Sequence, residues 1–229
     1  MAGSFSGRTI AFEAVCGGSI PSPAATMPFF QDIPDFDVDE FIRWLGPRLV
    51  KTSGQDYAIA MHKEDPTDCS DRTEFFDWHS DGLYLPQPPR FVLLHCLDPG
   101  GGEVVTELAS VDKVLNSLPL FGLRTLRRLR SHYIGHGGCF DHPILAGDNM
   151  LLASRGYISP LPGLSLDDIP STRDIGEALA ELYEELDAAA VPYEWAKGRT
   201  LIFEQRKFMH RRESRVIDRD RKLIRMWFS

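Results

Sequence analysis

The sequence contains few cysteines, and none are spaced to pair locally. Its four cysteines lie far apart and form no CxxC motif: Cys16, Cys69, Cys96 and Cys139. This is typical of reduced thiols in a cytosolic protein and unlike the disulfide framework of a small secreted domain. We therefore expect a cytoplasmic protein whose fold does not depend on disulfide bonds.

Long apolar segments and an excess of positive charge are also missing. No run approaches the roughly 20 apolar residues that a membrane-spanning helix needs. Residues 1–18 do not combine a charged start with a long apolar stretch, as a signal peptide would. Since 25 basic residues stand against 33 acidic ones, the net charge is −8. We expect neither a membrane nor a nucleic acid as partner.

What is present is an ordinary globular composition, with 43% hydrophobic and 25% charged residues over 229 positions. A chain of this length can bury a sizeable core without disulfide or metal staples. We find no internal repeat, low-complexity segment or linker, and we predict a single domain over residues 1–229. The sequence does not indicate an oligomeric state.

Short β-type segments separated by turn signals predict a mainly β fold with inserted helices, built on a β-barrel or double-sheet jelly roll. The predicted strands are residues 8–15, 57–61, 79–85, 90–97, 103–106, 131–134, 150–153, 157–158, 200–203 and 222–228. The predicted helices are residues 37–46, 111–118, 120–129 and 173–190. The polar segment 62–76 is expected to be a loop, and either a mobile lid or plain disorder would fit it.

Two distant segments carry residues that can bind a metal and an acid. The segment FFDWHSDGLYL contains His79 and Asp81, which would share one face of a strand. His210 is followed at eleven and fifteen residues by Arg221 and Arg225. Two imidazoles and one carboxylate suit Fe(II) and leave three positions open for a 2-oxo acid and O2. An arginine nearby would pair with the far carboxylate of such an acid.

Around these residues the sequence resembles the taurine/2-oxoglutarate dioxygenase family of the TauD/TfdA type, which shares a jelly-roll core with the clavaminate synthases. The resembling segments are WHSDGLYLPQPPRFVLLHCL, GGGEVVTELASVDKVLNSLP and GRTLIFEQRKFMHRRESRVIDRDRKLIRMWF. They span roughly the C-terminal two thirds of the chain, with a loose match over residues 135–195. The family's GD and DN pairs are replaced here by Gly198-Arg199 and Glu204-Gln205.

The resemblance implies that His79, Asp81 and His210 bind Fe(II), with 2-oxoglutarate as co-substrate and O2 as oxidant. The expected activity is a dioxygenase reaction in which 2-oxoglutarate becomes succinate while a small polar, amino-acid or acidic substrate is oxidised. Related halogenases have a small residue where this chain has Asp81. The carboxylate therefore favours hydroxylation, desaturation or cyclisation, in a setting such as specialised metabolism.

The resemblance also implies how 2-oxoglutarate is held. Arg221 and Thr106 correspond to the residues that bind its distal carboxylate, and Arg225 lies near the metal-side carboxylate or an acidic substrate. Thr106 takes this place if the two valines at 104–105 are an insertion after the GG[DE] turn. A plainer interpretation makes Arg221 and Arg225 a solvated pattern that protects an edge strand.

Substrate contacts are expected from Arg225, Tyr84 and Arg212. Core packing is the ordinary interpretation of the aromatic residues beside the HxD motif, Phe76 and Trp78, with Tyr84 as the one that would reach a substrate. The arginines after His210 are expected to form a solvated loop, with Arg212 as the contact to an anionic substrate. They are Arg211, Arg212, Arg215 and Arg219.

Two rival functions remain open at this point. Four zinc-type ligands lie close together in HYIGHGGCFDH, namely His132, His136, Cys139 and His142, and would support a structural zinc site in a binding module. A jelly roll that binds a small molecule without turnover is the second alternative. Loss of the metal on changing His210 would distinguish the oxygenase from the zinc module.

Overall fold

The computed structural model describes residues 36–51, 56–61, 76–100, 105–135, 138–147, 150–153, 157–212 and 221–229. The predicted strand at residues 8–15 and almost all of the predicted lid, residues 62–75, lie outside the described residues. So do His136 and the side chain of Cys139.

The described chain is mainly β with inserted helices, as the sequence predicts. Its helices are α1 (Val38–Leu45), α2 (Val111–Ser117), α3 (Leu120–Leu126) and α4 (Thr172–Ala188), with short 3-10 turns at Gly46–Arg48 and Leu166–Asp168. Its strands are β1 (Ala58–Met61), β2 (Phe76–His79), β3 (Phe91–Asp98), β4 (Val105–Ser110), β5 (Leu129–Gly135), β6 (Gly138–Pro143), β7 (Leu145–Ala146), β8 (Met150–Leu151), β9 (Tyr157–Pro160), β10 (Ala190–Glu194), β11 (Thr200–Glu204), β12 (Phe208–Arg212) and β13 (Lys222–Phe228). No helix among these is long and apolar enough to cross a bilayer.

Two four-stranded antiparallel sheets form the centre of the fold. The first has the strand order β1-β13-β3-β11 and the second the order β10-β4-β12-β2. A cluster of apolar side chains from both sheets joins them, including Val92 and Leu94 of β3, Leu108 of β4, Phe203 of β11 and Trp227 of β13. The faces that meet in this cluster are called the inner faces below.

Helices cover the outer faces of both sheets. Phe41 and Leu45 of α1 pack on the first sheet against Leu93 of β3. A larger cluster joins α2, α3 and α4 to Trp78 of β2 and Met209 of β12 on the second sheet. Because both faces of β3 and β11 are buried, their sequences read as nearly continuous apolar runs.

A smaller antiparallel sheet with the strand order β6-β5-β9, and the short pair β7-β8, complete the described residues. The β6 strand was not predicted, because its glycine-rich start favours a turn. Likewise, the helix predicted to reach residue 190 ends at Ala188, and Ala190 already begins β10. The three consecutive alanines at 188–190 give no signal for that change.

The predicted strand at residues 79–85 is wrong. The strand is Phe76–His79, and a turn follows it at 81–84. Gly82 adopts φ +70°, and a Cβ at this position would lie 2.5 Å from the Pro89 ring. The glycine's left-handed conformation and the close packing of the proline segment 86–89 end the strand at His79.

Candidate metal centre

Three buried side chains meet where β2 and β12 lie side by side. His79 at the end of β2 is directly opposite His210 of β12, and Asp81 follows in the turn after β2. One ligand atom from each residue lies within 4.8 Å of the other two. The two histidines and the aspartate therefore meet through strand pairing and a turn, and not because two of them alternate on one strand.

Hydrogen bonding orients the first imidazole. The Nδ1 atom of His79 lies 2.7 Å from the carbonyl oxygen of Asp77, to which it donates in the neutral tautomer. Its Nε2 atom is then free of a proton and lies 3.7 Å from Oδ1 of Asp81. A histidine held in this way presents a lone pair to a metal ion.

The second imidazole is enclosed by aromatic rings. The ring of His210 is centred 4.1 Å from that of His79 and 4.8 Å from that of Phe203. Its Nδ1 atom is buried without a hydrogen-bond partner among the described residues. An unsatisfied buried nitrogen is costly, and in native structures such a group often has a functional role. This is consistent with His210 as a metal-binding residue.

Burial keeps both imidazoles neutral. It lowers the pKa of His79, and it lowers the pKa of His210 to about 3, with the neighbouring His79 as the next cause. Only the neutral imidazole coordinates a metal. Both rings are therefore in the coordinating form at neutral pH.

The carboxylate of Asp81 is held ionised. Burial alone would raise its pKa, but Arg225, followed by the two histidines, lowers it below the ordinary value. Trp227 adds to this by donating from Nε1 to Oδ2 of Asp81 over 3.0 Å. Nη1 of Arg225 lies 3.7 Å from Oδ1, and its guanidinium lies over the Trp227 ring at 4.8 Å.

Gln205 fixes the turn that carries Asp81, a role that the sequence does not predict. Its Oε1 accepts from the backbone N–H of Asp81 at 2.8 Å, and its Nε2 donates to the carbonyl of Asp81 at 3.1 Å and to that of Pro89. Gln205 is fully buried. The sequence signal for this role is that Glu204-Gln205 stands where the family has its DN pair.

A second group of polar side chains is buried on the inner faces. Arg212 is directly opposite Thr106 in the β12–β4 pair. The Thr106 hydroxyl accepts a hydrogen bond from Nε1 of Trp195 at 2.9 Å. Thr106, Arg212 and Arg221 are 4%, 8% and 6% exposed, so two guanidinium groups are enclosed here. The expectation that Arg211 and Arg212 lie in a solvated loop is wrong, because both belong to β12.

Arg221 is close to another positive charge. Burial, and next the proximity of Arg212, lower the pKa of Arg221 to about 10. Its Nε atom has no hydrogen-bond partner among the described residues. The edge-strand interpretation of Arg221 and Arg225 does not fit, since Arg221 is buried and β13 lies between β1 and β3.

Tyr84 lies beside the metal centre. Its half-buried ring is centred 5.9 Å from Trp227, which holds Asp81, and 5.8 Å from Tyr133 of β5. Phe76 and Trp78 pack as expected, with Trp78 fully buried and the Phe76 ring 4.0 Å from His79. Tyr84 therefore connects the metal centre to the small sheet.

The two described histidines of the rival zinc cluster have separate partners. Nδ1 of His132 lies 2.5 Å from Asp141, and its Nε2 lies 2.6 Å from the Ser159 hydroxyl. Nε2 of His142 lies 3.0 Å from the carbonyl oxygens of Leu83 and Leu85. Within the described part of the chain, the group of three or more ligand-type side chains that can reach one ion is the one at the metal centre.

Comparison with solved structures relates the fold to known oxygenases. An asparagine oxygenase complex with Fe(II), 2S,3S-3-hydroxyasparagine and succinate matches with TM-score 0.61 and 22% identity, over 75% of this chain and 56% of that chain. PvcB from Pseudomonas aeruginosa matches with TM-score 0.59 and 20% identity, over 84% of this chain and 70% of its own. The non-heme iron oxygenase OrfP, as a variant in complex with (3S)-hydroxy-L-Arg, gives TM-score 0.60 and 16% identity, over 82% and 64%.

At these identities the likeness establishes the fold. Family comparison goes further: the Taurine catabolism dioxygenase TauD, TfdA family matches residues 29–227. The chain belongs to this family. No curated protein sequence matches it closely enough to add a relative. The chain spans 56% of the length of the asparagine oxygenase that it matches.

Proposed function

We propose that this protein is an Fe(II)- and 2-oxoglutarate-dependent dioxygenase, a single jelly-roll domain acting in the cytoplasm. It would couple the conversion of 2-oxoglutarate to succinate with hydroxylation, desaturation or cyclisation of a small polar substrate. The observation that carries the proposal is the buried group of His79, Asp81 and His210 next to a second buried group with two arginines. Membership of the TauD/TfdA family supports it.

His79, Asp81 and His210 would hold the iron, because two neutral imidazoles and one ionised carboxylate are the donor set that Fe(II) oxygenases use. Iron bound here would supply O2 activation and substrate oxidation. The protein's own part is to keep the imidazoles unprotonated, to fix Asp81 through Gln205 and Trp227, and to exclude water by burial.

Arg221 and Thr106 would bind the distal carboxylate of 2-oxoglutarate. A guanidinium group and a hydroxyl group can both donate to carboxylate oxygens, and both side chains are buried, Thr106 on β4 of the second sheet and Arg221 directly before β13 of the first. Arg225, near Asp81, would contact the metal-side carboxylate or an acidic group of the substrate. Burial makes these ion pairs stronger than they would be in water.

We infer that the substrate is an amino acid or a similar small polar acid. Two structures of similar fold contain a hydroxylated asparagine and a hydroxylated arginine. Arg225 offers a positive charge beside the metal centre, and Tyr84 offers a half-buried ring 5.9 Å from Trp227. These two side chains are the proposed substrate contacts.

The first test is an anaerobic titration of the metal-free protein with Fe(II) and 2-oxoglutarate, following the weak visible charge-transfer band of the chelate. The wild type is expected to form the band, and His79→Ala and Asp81→Ala are expected to lose it. His132→Ala is the matched control, since it removes a histidine outside the metal centre, and it should retain the band.

Other outcomes would contradict the proposal. A wild-type protein without the band, which retains zinc on purification and keeps it in the His79→Ala variant, would favour the zinc module. A protein that binds Fe(II) and 2-oxoglutarate but releases no succinate with any candidate substrate would favour a binding protein without turnover.

A further inference from the structure

Arg212 lies on the same side of β12 as His210. Side chains two residues apart on a strand share a face, and both of these are buried. Arg211, between them, points to the outer face, where it lies over Trp78 at 4.6 Å. Arg212 therefore projects into the space between the sheets that also contains the metal centre.

The position of Arg212 along the strand suits one end of a short dicarboxylate. Two residues of an antiparallel strand span about 7 Å, which is comparable to the length of a five-carbon dicarboxylate. Thr106, directly opposite Arg212, is displaced from the metal centre in the same direction, because His210 is opposite Leu108. Arg212 and Thr106 thus lie at the same position along the paired strands β12 and β4. The metal centre lies two residues further along them, at His210.

Arg221, which lies near Arg212, carries a buried positive charge that an anion would stabilise. Arg221 is buried close to Arg212, and no carboxylate of a described residue lies within ion-pair distance of Arg221. Its Nε donor is unsatisfied within the described residues. A guanidinium group buried away from water, such as that of Arg221, is unfavourable unless an anion lies against it.

We propose that Arg212 is a further binding residue for 2-oxoglutarate, which with Arg221 and Thr106 binds its distal carboxylate. This inference rests on the proposed function, and it assigns Arg212 to the co-substrate in place of the oxidised substrate. Two guanidinium groups can donate to both oxygens of one carboxylate, while the hydroxyl of Thr106 provides a third donor. The pocket would then select dicarboxylic over monocarboxylic 2-oxo acids.

The test compares two 2-oxo acids of the same chain length, 2-oxoglutarate and 2-oxopentanoate, which has a methyl group in place of the distal carboxylate. Affinities for the Fe(II)-loaded protein are measured anaerobically from the charge-transfer band. Arg212→Gln is expected to weaken 2-oxoglutarate binding about 10- to 100-fold, because one charged donor is lost. Binding of 2-oxopentanoate should change by less than about threefold, since it never contacts Arg212.

Two further variants control for charge and for fold. Arg206→Gln removes the same charge from an exposed position and is expected to leave both affinities unchanged. Arg212→Lys keeps the charge without the planar fork, so it should restore part of the preference for 2-oxoglutarate. Equal weakening of both acids by Arg212→Gln, or weakening of neither, would overturn the assignment. So would a change in the apparent KM of the oxidised substrate alone.

Calorimetric titration of the metal-free protein with 2-oxoglutarate separates this inference from the proposed function. If the wild type forms no chelate band but still binds 2-oxoglutarate in a manner that depends on Arg212, the dioxygenase proposal fails and the assignment stands. If it binds 2-oxoglutarate equally well with Arg212→Gln, the assignment fails. If no 2-oxoglutarate binds by either method, both are wrong.

Discussion

Two consecutive arginines of β12, Arg211 and Arg212, lie on opposite faces of the strand and have different surroundings. On the outer face, Arg211 donates from Nε to Glu107 and from Nη1 to Asp187, each at 2.5 Å, and Asp187 also accepts from Nε1 of Trp78 at 2.8 Å. On the inner face, the neighbour that most affects Arg221 is another arginine, Arg212.

The contrast distinguishes a charge that the fold itself pairs from a charge that we propose for ligand binding. The protein supplies two carboxylates and an aromatic ring to Arg211, so this guanidinium is balanced by the fold and ties α4 to the second sheet. Arg212 and Arg221 are gathered by the fold on the side that also carries His210. We expect changes on the inner face to cost ligand binding and changes on the outer face to cost stability.

Among the variants, His210→Ala should reduce metal binding the most. Removing one of three ligands should reduce the iron content after anaerobic loading to near zero, because two remaining side chains hold Fe(II) poorly. The metal-free variant should remain folded, since the removed ring has an unsatisfied nitrogen in its buried position. Iron analysis and circular dichroism would check both statements. Full iron content in this variant would contradict the assignment of His210 as a metal ligand.

Arg221→Gln comes next. The loss of a buried charged donor is expected to weaken 2-oxoglutarate binding by about 30-fold or more, at unchanged iron content. The measurement is the anaerobic titration described for Arg212, and the thermal midpoint serves as the control for folding. An unchanged affinity for 2-oxoglutarate would show that the buried arginines balance something other than the co-substrate.

Gln205→Ala tests whether the hydrogen bonds of Gln205 to the backbone of Asp81 position the Asp81 carboxylate. It leaves the backbone N–H and carbonyl of Asp81 without their partner, so the turn that carries the carboxylate should loosen. Changes in the residues that orient metal ligands typically cost 10- to 100-fold in metal affinity, and we expect about 10-fold here. Competition with a chelator of known iron affinity would measure it. Equal iron affinities of the variant and wild type would exclude a role of Gln205 in positioning Asp81.

Arg211→Gln is expected to change the affinities for iron and 2-oxoglutarate the least, while lowering the stability of the fold. Its partner Asp187 is half-exposed, whereas Glu107 is mostly buried. We therefore expect a loss of about 1–2 kcal/mol in the free energy of unfolding, which is less than for a fully buried pair. Affinities for iron and 2-oxoglutarate should stay within about twofold of wild type. Denaturant unfolding and the same titrations would check this. A loss of ligand affinity without loss of stability would show that Arg211 on the outer face contributes to ligand binding.

The sequence predicts the mainly β fold with inserted helices, and its HxD motif and distal histidine single out three residues that the fold brings close together, His79, Asp81 and His210. It failed where local signals conflict with tertiary contacts. The sequence predicts a solvated loop for Arg211 and Arg212, yet β12, which contains both, pairs with β4 on one side and β2 on the other and is a central strand. Gln205 was overlooked because nothing local reveals that its amide spans a turn more than a hundred positions away.

The sequence alone establishes the available chemistry: which side chains can coordinate a metal, which can bind a carboxylate, and how many residues separate them. Those properties belong to the residues and survive any error in the predicted strands. The pairing of strands determines that Arg211 faces Glu107 and Asp187, whereas Arg212 faces the space that also contains His210. Burial and the neighbouring charges depend on which strands pair, and strand pairing joins residues that are remote in the chain. Arg211 and Arg212 are alike in sequence, and the two faces of one strand make them different.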